Sequence, residues 1–169
     1  MDTRIPAWLE DNLRPLDKLE VHRRGLRHPA ISVFIVSDRG ILLQRRAASK
    51  YHTPGLWANT CCTHPHWGES PEHCADRRLK EELGISGVDL EWREQIEYRA
   101  DVGGGLTEHE VVDVYVGHGE PEITINPDEV WETRWMPLAE LEADIAANPA
   151  IYTPWLRIYL AEHKDKILG

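Results

Sequence analysis

Residues 70–84 are the stretch whose local fold is most tightly specified by its own residues in this chain of 169. Ser70 can cap a helix start with its side-chain oxygen. Pro71 suits the first helical position, where its missing N–H is not needed, and Glu72 favours the positive end of the helix dipole. Ala75, Leu79 and Leu83 recur every four residues and form one apolar stripe. Gly84 supplies the left-handed residue that ends the helix. A helix with one apolar stripe needs a surface to lie on, and the flanking segments offer strands. Residues 30–36 (AISVFIV) are rich in β-branched side chains, Asp38-Arg39-Gly40 signals a turn, and residues 41–45 are its expected hairpin partner. Residues 96–101 and 108–116 read as strands around Gly103-Gly104-Gly105, and residues 137–146 and 154–166 as closing helices. In residues 1–20, Pro6 and Pro15 break any long helix. The alternation predicts the α/β class.

Composition narrows the function. A hydrophobic share of 41% and a charged share of 28% fit a folded globular chain, and the length fits a single domain over residues 1–169. The longest apolar run, residues 30–36, falls far short of a membrane helix, and the acidic, proline-containing start does not look like a signal peptide. Three cysteines, two of them adjacent, argue against a disulfide framework and for a reducing, cytoplasmic setting. A net charge of -10 disfavours nucleic acid and anionic membrane as partners, and it makes any cluster of cations notable. Nothing in the pattern specifies an oligomeric state.

Chemistry concentrates in residues 57–84. Cys61 and Cys62 read either as small buried hydrophobes or, for one of them, as a proton-exchanging thiol whose pKa nearby cations would lower. His64 comes two residues later, in a long loop (residues 50–67) of a size that is usually functional or disordered. Glu108 and Glu110 are spaced to share one face of a strand, with His109 on the other. His52, His66, His73, His109 and His118 are expected on the surface or as satisfied core residues. Trp57, Trp67, Trp92, Trp131 and Trp135 are expected in packing or interfaces, and Arg23, Arg24 and Arg27 at solvated positions.

The 70–84 helix resembles the signature helix of the Nudix superfamily. Aligned on Glu81-Glu82-Leu83-Gly84-Ile85, Glu69 and Arg77 fall at the right spacing. Two positions depart: the opening glycine is Thr63, and an acidic position of the hydrolases is Arg78. A hydrolase clusters carboxylates around Mg²⁺ at a diphosphate and activates water. A guanidinium in that cluster disfavours the metal and favours gripping a diphosphate that stays intact. That departure, together with His28, the RRAASK segment, NTCCTHP, Tyr98-Arg99-Ala100, Glu108-His109-Glu110 and Thr153-Pro154-Trp155, is similar to type I isopentenyl-diphosphate Δ-isomerases, from about Lys18 to the C-terminus.

The resemblance implies a Nudix-type mixed β-sheet flanked by helices, an α+β sandwich, with residues 1–17 as an N-terminal lid or extension. It implies interconversion of isopentenyl and dimethylallyl diphosphate through a tertiary carbocation-like intermediate, in isoprenoid biosynthesis. Cys62 and Glu110 then exchange protons, in an order left open, with Tyr98 hydrogen-bonded to Glu110 and Trp155 stabilising positive charge. His22, His28, His64, Glu108 and Glu110 would hold a divalent metal. Such a set suits Mn²⁺ or Zn²⁺, and Mg²⁺ less well. A Mg²⁺ arriving with the substrate would meet Glu82 and the Cys62 backbone carbonyl, and Lys18, Arg46, Lys50 and Arg78 would bind the diphosphate. The partner is a small prenyl diphosphate. Two alternatives stand beside this reading: a Nudix hydrolase of a nucleoside diphosphate derivative, and a non-catalytic diphosphate-binding module.

Overall fold

A computed structural model describes residues 4–169. Residues 1–3 of the expected N-terminal extension lie outside the described residues. The rest of the extension is a hairpin: β1 (Arg4–Leu9) pairs antiparallel with β2 (Asn12–Asp17), turned by Glu10 and Asp11 at φ 51° and 66°. The sequence marks no strand here: residues 1–20 read as mixed, with Pro6 and Pro15 only excluding a long helix. The hairpin sets these two prolines directly opposite each other, where neither is asked for an N–H. Ile5 and Ala7 bury against Val21 of α1 (Lys18–Arg24), which Asp17 caps by accepting hydrogen bonds from the Leu19 and Glu20 amides at 3.0 and 3.1 Å.

Behind this extension run β3 (Arg27–Ser37), β4 (Gly40–Arg46), β5 (Trp57–Ala58), β6 (Cys61–Thr63), α2 (Pro71–Leu83), β7 (Leu90–Gly103), β8 (Leu106–His118) and β9 (Val130–Met136), and then α3 (Leu138–Ala147), α4 (Pro154–Glu162) and α5 (Lys164–Leu168). The main sheet has the order β5-β4-β3-β8-β7, with β6 added to β3 and β9 to β4. The β3–β8 pairing is parallel and the others are antiparallel. It is a mixed α/β sheet with helices on both faces, as expected.

Hairpin β3–β4 is closed only at its turn, through Val36–Ile41 and Ser37–Gly40. Past that point β4 pairs with β9, and β6 takes the edge of β3 at residues 31–33. The 50–67 loop thereby enters the sheet. At Gly40 (φ 106°) a Cβ would lie 2.2 Å from the Met136 carbonyl oxygen, so the crossing of β9 over the turn requires glycine.

Strand periodicity sorts the two faces. Ile31, Val33, Ile35 and Cys61 pack under Ala75, Leu79 and Leu83 of α2. Ala30, Phe34, Val112 and Val114 pack on the other face against Trp155, Leu156 and Tyr159 of α4. Helix α2 has both expected ends: the Ser70 Oγ accepts from the His73 amide at 3.2 Å, and Gly84 adopts φ 63°. The helix expected over 154–166 is two helices separated at His163 (φ -131°), a correction in which the chain turns so that Ile167 is buried. Strands β7 and β8 run well past their apolar cores because backbone pairing continues through polar residues. Among the described residues no helix is long and apolar enough to cross a membrane.

Candidate active site

The sheet register collects the site. His28 on β3 sits opposite Glu110 on β8, and Glu110 sits opposite Tyr98 on β7, so three side chains line up across three strands on the face that α4 covers. Glu108 shares that face two residues earlier. On the other side of β3, Ser32 pairs with Cys62. The period of two settles which cysteine faces the cleft: Cys61 points into the α2 core, fully buried, and Cys62 points toward α4. Lys18, Arg46, Lys50, Tyr51, His52, Cys62, Thr63, His64, Arg78, Glu108, Glu110 and Trp155 line one cleft of about 370 Å³, part of which is open to solvent.

At one end, imidazoles and carboxylates converge. The Nε2 atoms of His22 and His64 lie 3.0 Å from Glu108 Oε1 and 2.9 Å from Glu110 Oε2, respectively, and His28 Nε2 lies 3.4 Å from Glu110 Oε2 and 3.5 Å from Glu108 Oε2. One ligating atom from each of His22, His28, His64 and Glu108 falls within 4.8 Å of the others. His22 and His28 turn Nδ1 to backbone carbonyls, of Lys18 at 2.7 Å and Leu26 at 2.8 Å. A carbonyl only accepts, so each ring carries its hydrogen on Nδ1 and aims the Nε2 lone pair at a carboxylate. At His22 the Tyr51 hydroxyl, 3.2 Å from Nε2, can supply a donor. At His28 two acceptors face each other, and a positive charge between them relieves this. His28 Nε2 and Glu108 Oε2 are buried without a hydrogen-bond partner. In the free protein a proton meets the need at His28: burial opposes its charge, but Glu108 and Glu110 raise its pKa to about 10. A divalent cation fits the same place and this donor set. Burial lowers the pKa of His64, against the pull of the two carboxylates.

Cys62 joins a buried polar chain. Its thiol donates to Asn59 Oδ1 at 3.0 Å and accepts from the Trp155 Nε1–H at 3.0 Å and the Ser32 hydroxyl at 3.5 Å. The expectation that nearby cations lower its pKa is corrected: burial dominates and pushes it up to about 12, with Ser32 opposing and Glu110 adding. Cys62 is a thiol at neutral pH. Tyr98 donates a close hydrogen bond to Glu110 Oε1, and burial with the adjacent carboxylate holds its phenol well above its ordinary pKa. The Trp155 indole is flanked edge-on by His52 (centroids 5.6 Å apart), and the Arg46 guanidinium lies 5.2 Å from its centroid.

At the other end lie Lys18, Arg46, Lys50 and Arg78. Burial, followed by the charges of Lys50 and Arg78, lowers Lys18 to about 8. Lys50 makes a close ion pair with Glu129, and Arg78 reaches the same carboxylate at 3.3 Å. Glu82 lies beneath the cleft. Its Oε2 accepts from Arg78 at 2.7 Å, and its Oε1 from Gln44 at 2.9 Å and the Cys61 thiol at 3.4 Å. Glu69, just before α2, and Glu81 on it are also held by arginines. Glu69 takes two bonds from Arg77, which pull its pKa down to about 2, and Glu81 pairs with both Arg77 and Arg78.

Each of the proposed site residues therefore reaches or supports one cleft, with Glu82 engaged by Arg78 and Gln44. His52 and Glu129 are among the residues that escape a reading of the sequence. His52, expected on the surface or satisfied in the core, is buried with Nε2 2.6 Å from Glu108 Oε1. Glu129 brings a negative charge into the basic cluster. Neither carries a local signal, since one is a loop histidine and the other lies 47 residues beyond Glu82. Asn59, Ser32 and Tyr159 complete the polar chain at Cys62, where Ser32 inside an apolar strand is the one visible hint. His109 pairs with Glu97 on the far face, as expected.

The model of the NUDIX domain matches residues 26–156. A protein of Cereibacter sphaeroides (strain ATCC 17029 / ATH 2.4.9) named isopentenyl-diphosphate Delta-isomerase is 58% identical over 171 residues, covering 100% of this chain and 97% of the relative. The chain belongs to the isopentenyl-diphosphate Delta-isomerase family of NUDIX proteins. A family member from Dinoroseobacter shibae is also 58% identical, over 98% of this chain and 95% of its own, and one from Roseobacter denitrificans is 53% identical over 100% and 97%. The NUDIX fold is shared more widely. A solved Deinococcus radiodurans structure superposes with a TM-score of 0.75 at 16% identity, covering 98% of this chain and 99% of its own. A MutT NUDIX hydrolase from Burkholderia pseudomallei gives 0.62 at 28% identity, covering 81% and 98%. In this chain the arginine-bound Glu69, Glu81 and Glu82 distinguish the site from an open carboxylate cluster.

Proposed function

We propose that the protein interconverts isopentenyl diphosphate and dimethylallyl diphosphate, the activity named in its relatives, as a cytoplasmic enzyme of isoprenoid biosynthesis acting as one domain with the N-terminal hairpin as its extension. One observation carries the reading: a protonated thiol and a carboxylate face the same cleft from the two strands that flank β3, with four cations at its other end. A proton adds to the terminal alkene carbon, leaving a tertiary cation at C3. A proton then leaves C2 and the double bond re-forms between C2 and C3. Cys62 and Glu110 are the giving and taking groups. The reaction runs both ways, so the group that gives in one direction takes in the other.

Tyr98 holds the Glu110 carboxylate by donating to it, and Asn59, Ser32 and the Trp155 N–H fix the thiol. Trp155 offers a π face that stabilises a cation without trapping it, worth about 2 kcal/mol when desolvated. A divalent ion held by His22, His28, His64, Glu108 and Glu110 would anchor the carboxylates, and Mg²⁺ at Glu82 would neutralise the diphosphate. Lys18, Arg46, Lys50 and Arg78 grip the diphosphate. The hydrolase alternative is disfavoured because Glu69, Glu81 and Glu82 are each occupied by an arginine.

Isopentenyl diphosphate incubated in heavy water with protein and divalent metal should gain deuterium and yield dimethylallyl diphosphate, with no phosphate released. Binding without deuterium uptake would mean a diphosphate-binding module, and rapid phosphate release from a nucleotide panel would mean a hydrolase. A second outcome concerns pH. With a pKa of about 8, Lys18 is charged below that pH and neutral above it. Substrate affinity should therefore weaken as pH rises through 8, seen as a rising KM, and Lys18→Met should flatten that limb. A wild-type KM constant from pH 7 to 9 would exclude Lys18 from the diphosphate site.

A further inference from the structure

His22 and His28 each turn Nδ1 to a backbone carbonyl, whereas His52 turns its Nδ1 to the Thr53 hydroxyl at 2.8 Å. The difference reverses the ring's role. A hydroxyl can donate, so the His52 Nδ1 can accept, and a neutral imidazole then carries its one hydrogen on Nε2. That N–H meets Glu108 Oε1 at 2.6 Å. The other oxygen, Oε2, is buried without a hydrogen bond and faces His28 at 3.5 Å and His64 at 4.0 Å. His52 thus engages Oε1, which His22 Nε2 also faces at 3.0 Å, and leaves Oε2 turned toward His28 and His64.

The backbone around the ring is over-determined. Thr53, next to His52 and buried, has φ +45°, an unfavourable conformation for a β-branched residue. Arg46 donates to the His52 carbonyl at 3.3 Å, which holds the main chain from the other side. The ring itself is wedged edge-on against Tyr51 (centroids 4.3 Å apart) and Trp155 (5.6 Å). Strain, hydrogen bonds and packing all serve one ring orientation.

We propose that His52 is a positioning residue: it donates a hydrogen bond to Glu108 and orients that carboxylate toward a divalent cation held by the three other histidines. The inference rests on the metal reading of the proposed function. Groups of this kind change metal affinity by about 10- to 100-fold when removed. The test is Co²⁺ binding to the metal-stripped protein, followed by chelator competition and by the visible absorption of the bound ion. His52→Ala should weaken Co²⁺ binding by about 10- to 100-fold and alter the absorption band. His52→Gln, whose amide N–H can take the place of Nε2–H, should recover most of both. Thr53→Val keeps the ring but removes the hydroxyl, and should give an intermediate loss; it decides the matter if His52→Ala does not fold. Unchanged Co²⁺ affinity in His52→Ala, or in Thr53→Val where that variant must serve, overturns the proposal. So does a His52→Gln protein as impaired as His52→Ala, which would make His52 a ligand. No Co²⁺ uptake by the unaltered protein overturns the metal reading as well.

Discussion

Cys62→Ala is expected to lower turnover of isopentenyl diphosphate by about 10²–10⁴-fold, and Cys61→Ala to keep most of it. The two side chains are adjacent in sequence and opposite in space. Cys61 lies in the α2 core and its thiol makes a long contact to Glu82, so its loss leaves a small void on the face of the sheet away from Cys62. Cys62 borders the cleft and holds a proton that burial keeps on sulfur to about pH 12. Truncation to alanine removes the proton and the acceptor of the Trp155 N–H. Leaving that donor buried and unpaired costs about 1–3 kcal/mol of stability. Cys62→Ser separates the two effects. A hydroxyl can still accept from Trp155 and donate to Asn59, so the fold should be restored, while turnover stays low because oxygen holds its proton more tightly than sulfur. Steady-state turnover beside thermal melts reads both. Equal losses in Cys61→Ala and Cys62→Ala would remove the thiol from the mechanism.

How much of the fold and the site is legible in the residues depends on the distance over which each feature is determined. Helix α2 is readable to its caps because Ser70, Pro71 and Gly84 act on backbone groups within one turn. The spacing of Glu108 and Glu110 is readable because strand alternation is local. The parallel partnership of β3 with β8 joins segments about 80 residues apart and has no local signature, yet it brings His28 beside Glu110. The N-terminal hairpin is not marked by its residues, and the tolerance of its prolines depends on their facing each other. His52 reads as a surface or core residue because its neighbours give no period. Its contact with Glu108 exists only once the 50–67 loop folds over the end of β8. The pKa of Cys62 reads in the wrong direction because the sequence reveals the nearby cations but not the burial that outweighs them.

Glu110→Gln should reduce turnover by about 10³-fold or more, and Tyr98→Phe by roughly 10-fold, because the two substitutions remove different parts of one arrangement. Glu110 Oε2 faces both His64 at 2.9 Å and His28 at 3.4 Å, while Oε1 accepts from Tyr98. A glutamine keeps the volume but cannot take up a proton as a base, and its amide N–H would point either at the Tyr98 hydroxyl or into the imidazole cluster. Proton transfer fails, and metal affinity should fall with it. Tyr98 has a narrower part. Its phenol stays protonated far above neutral pH, so it acts by donating a hydrogen bond that fixes the carboxylate and stabilises its charged form. Without that donor Glu110 still has its oxygens and its imidazole neighbours, but Oε1 loses the bond that fixes it. Steady-state turnover of the two variants should register this: Tyr98→Phe keeps a readily measured rate, and Glu110→Gln falls about 10²-fold below it. If Tyr98→Phe loses as much as Glu110→Gln, the phenol is itself a proton carrier, and the division of labour drawn from the geometry is wrong.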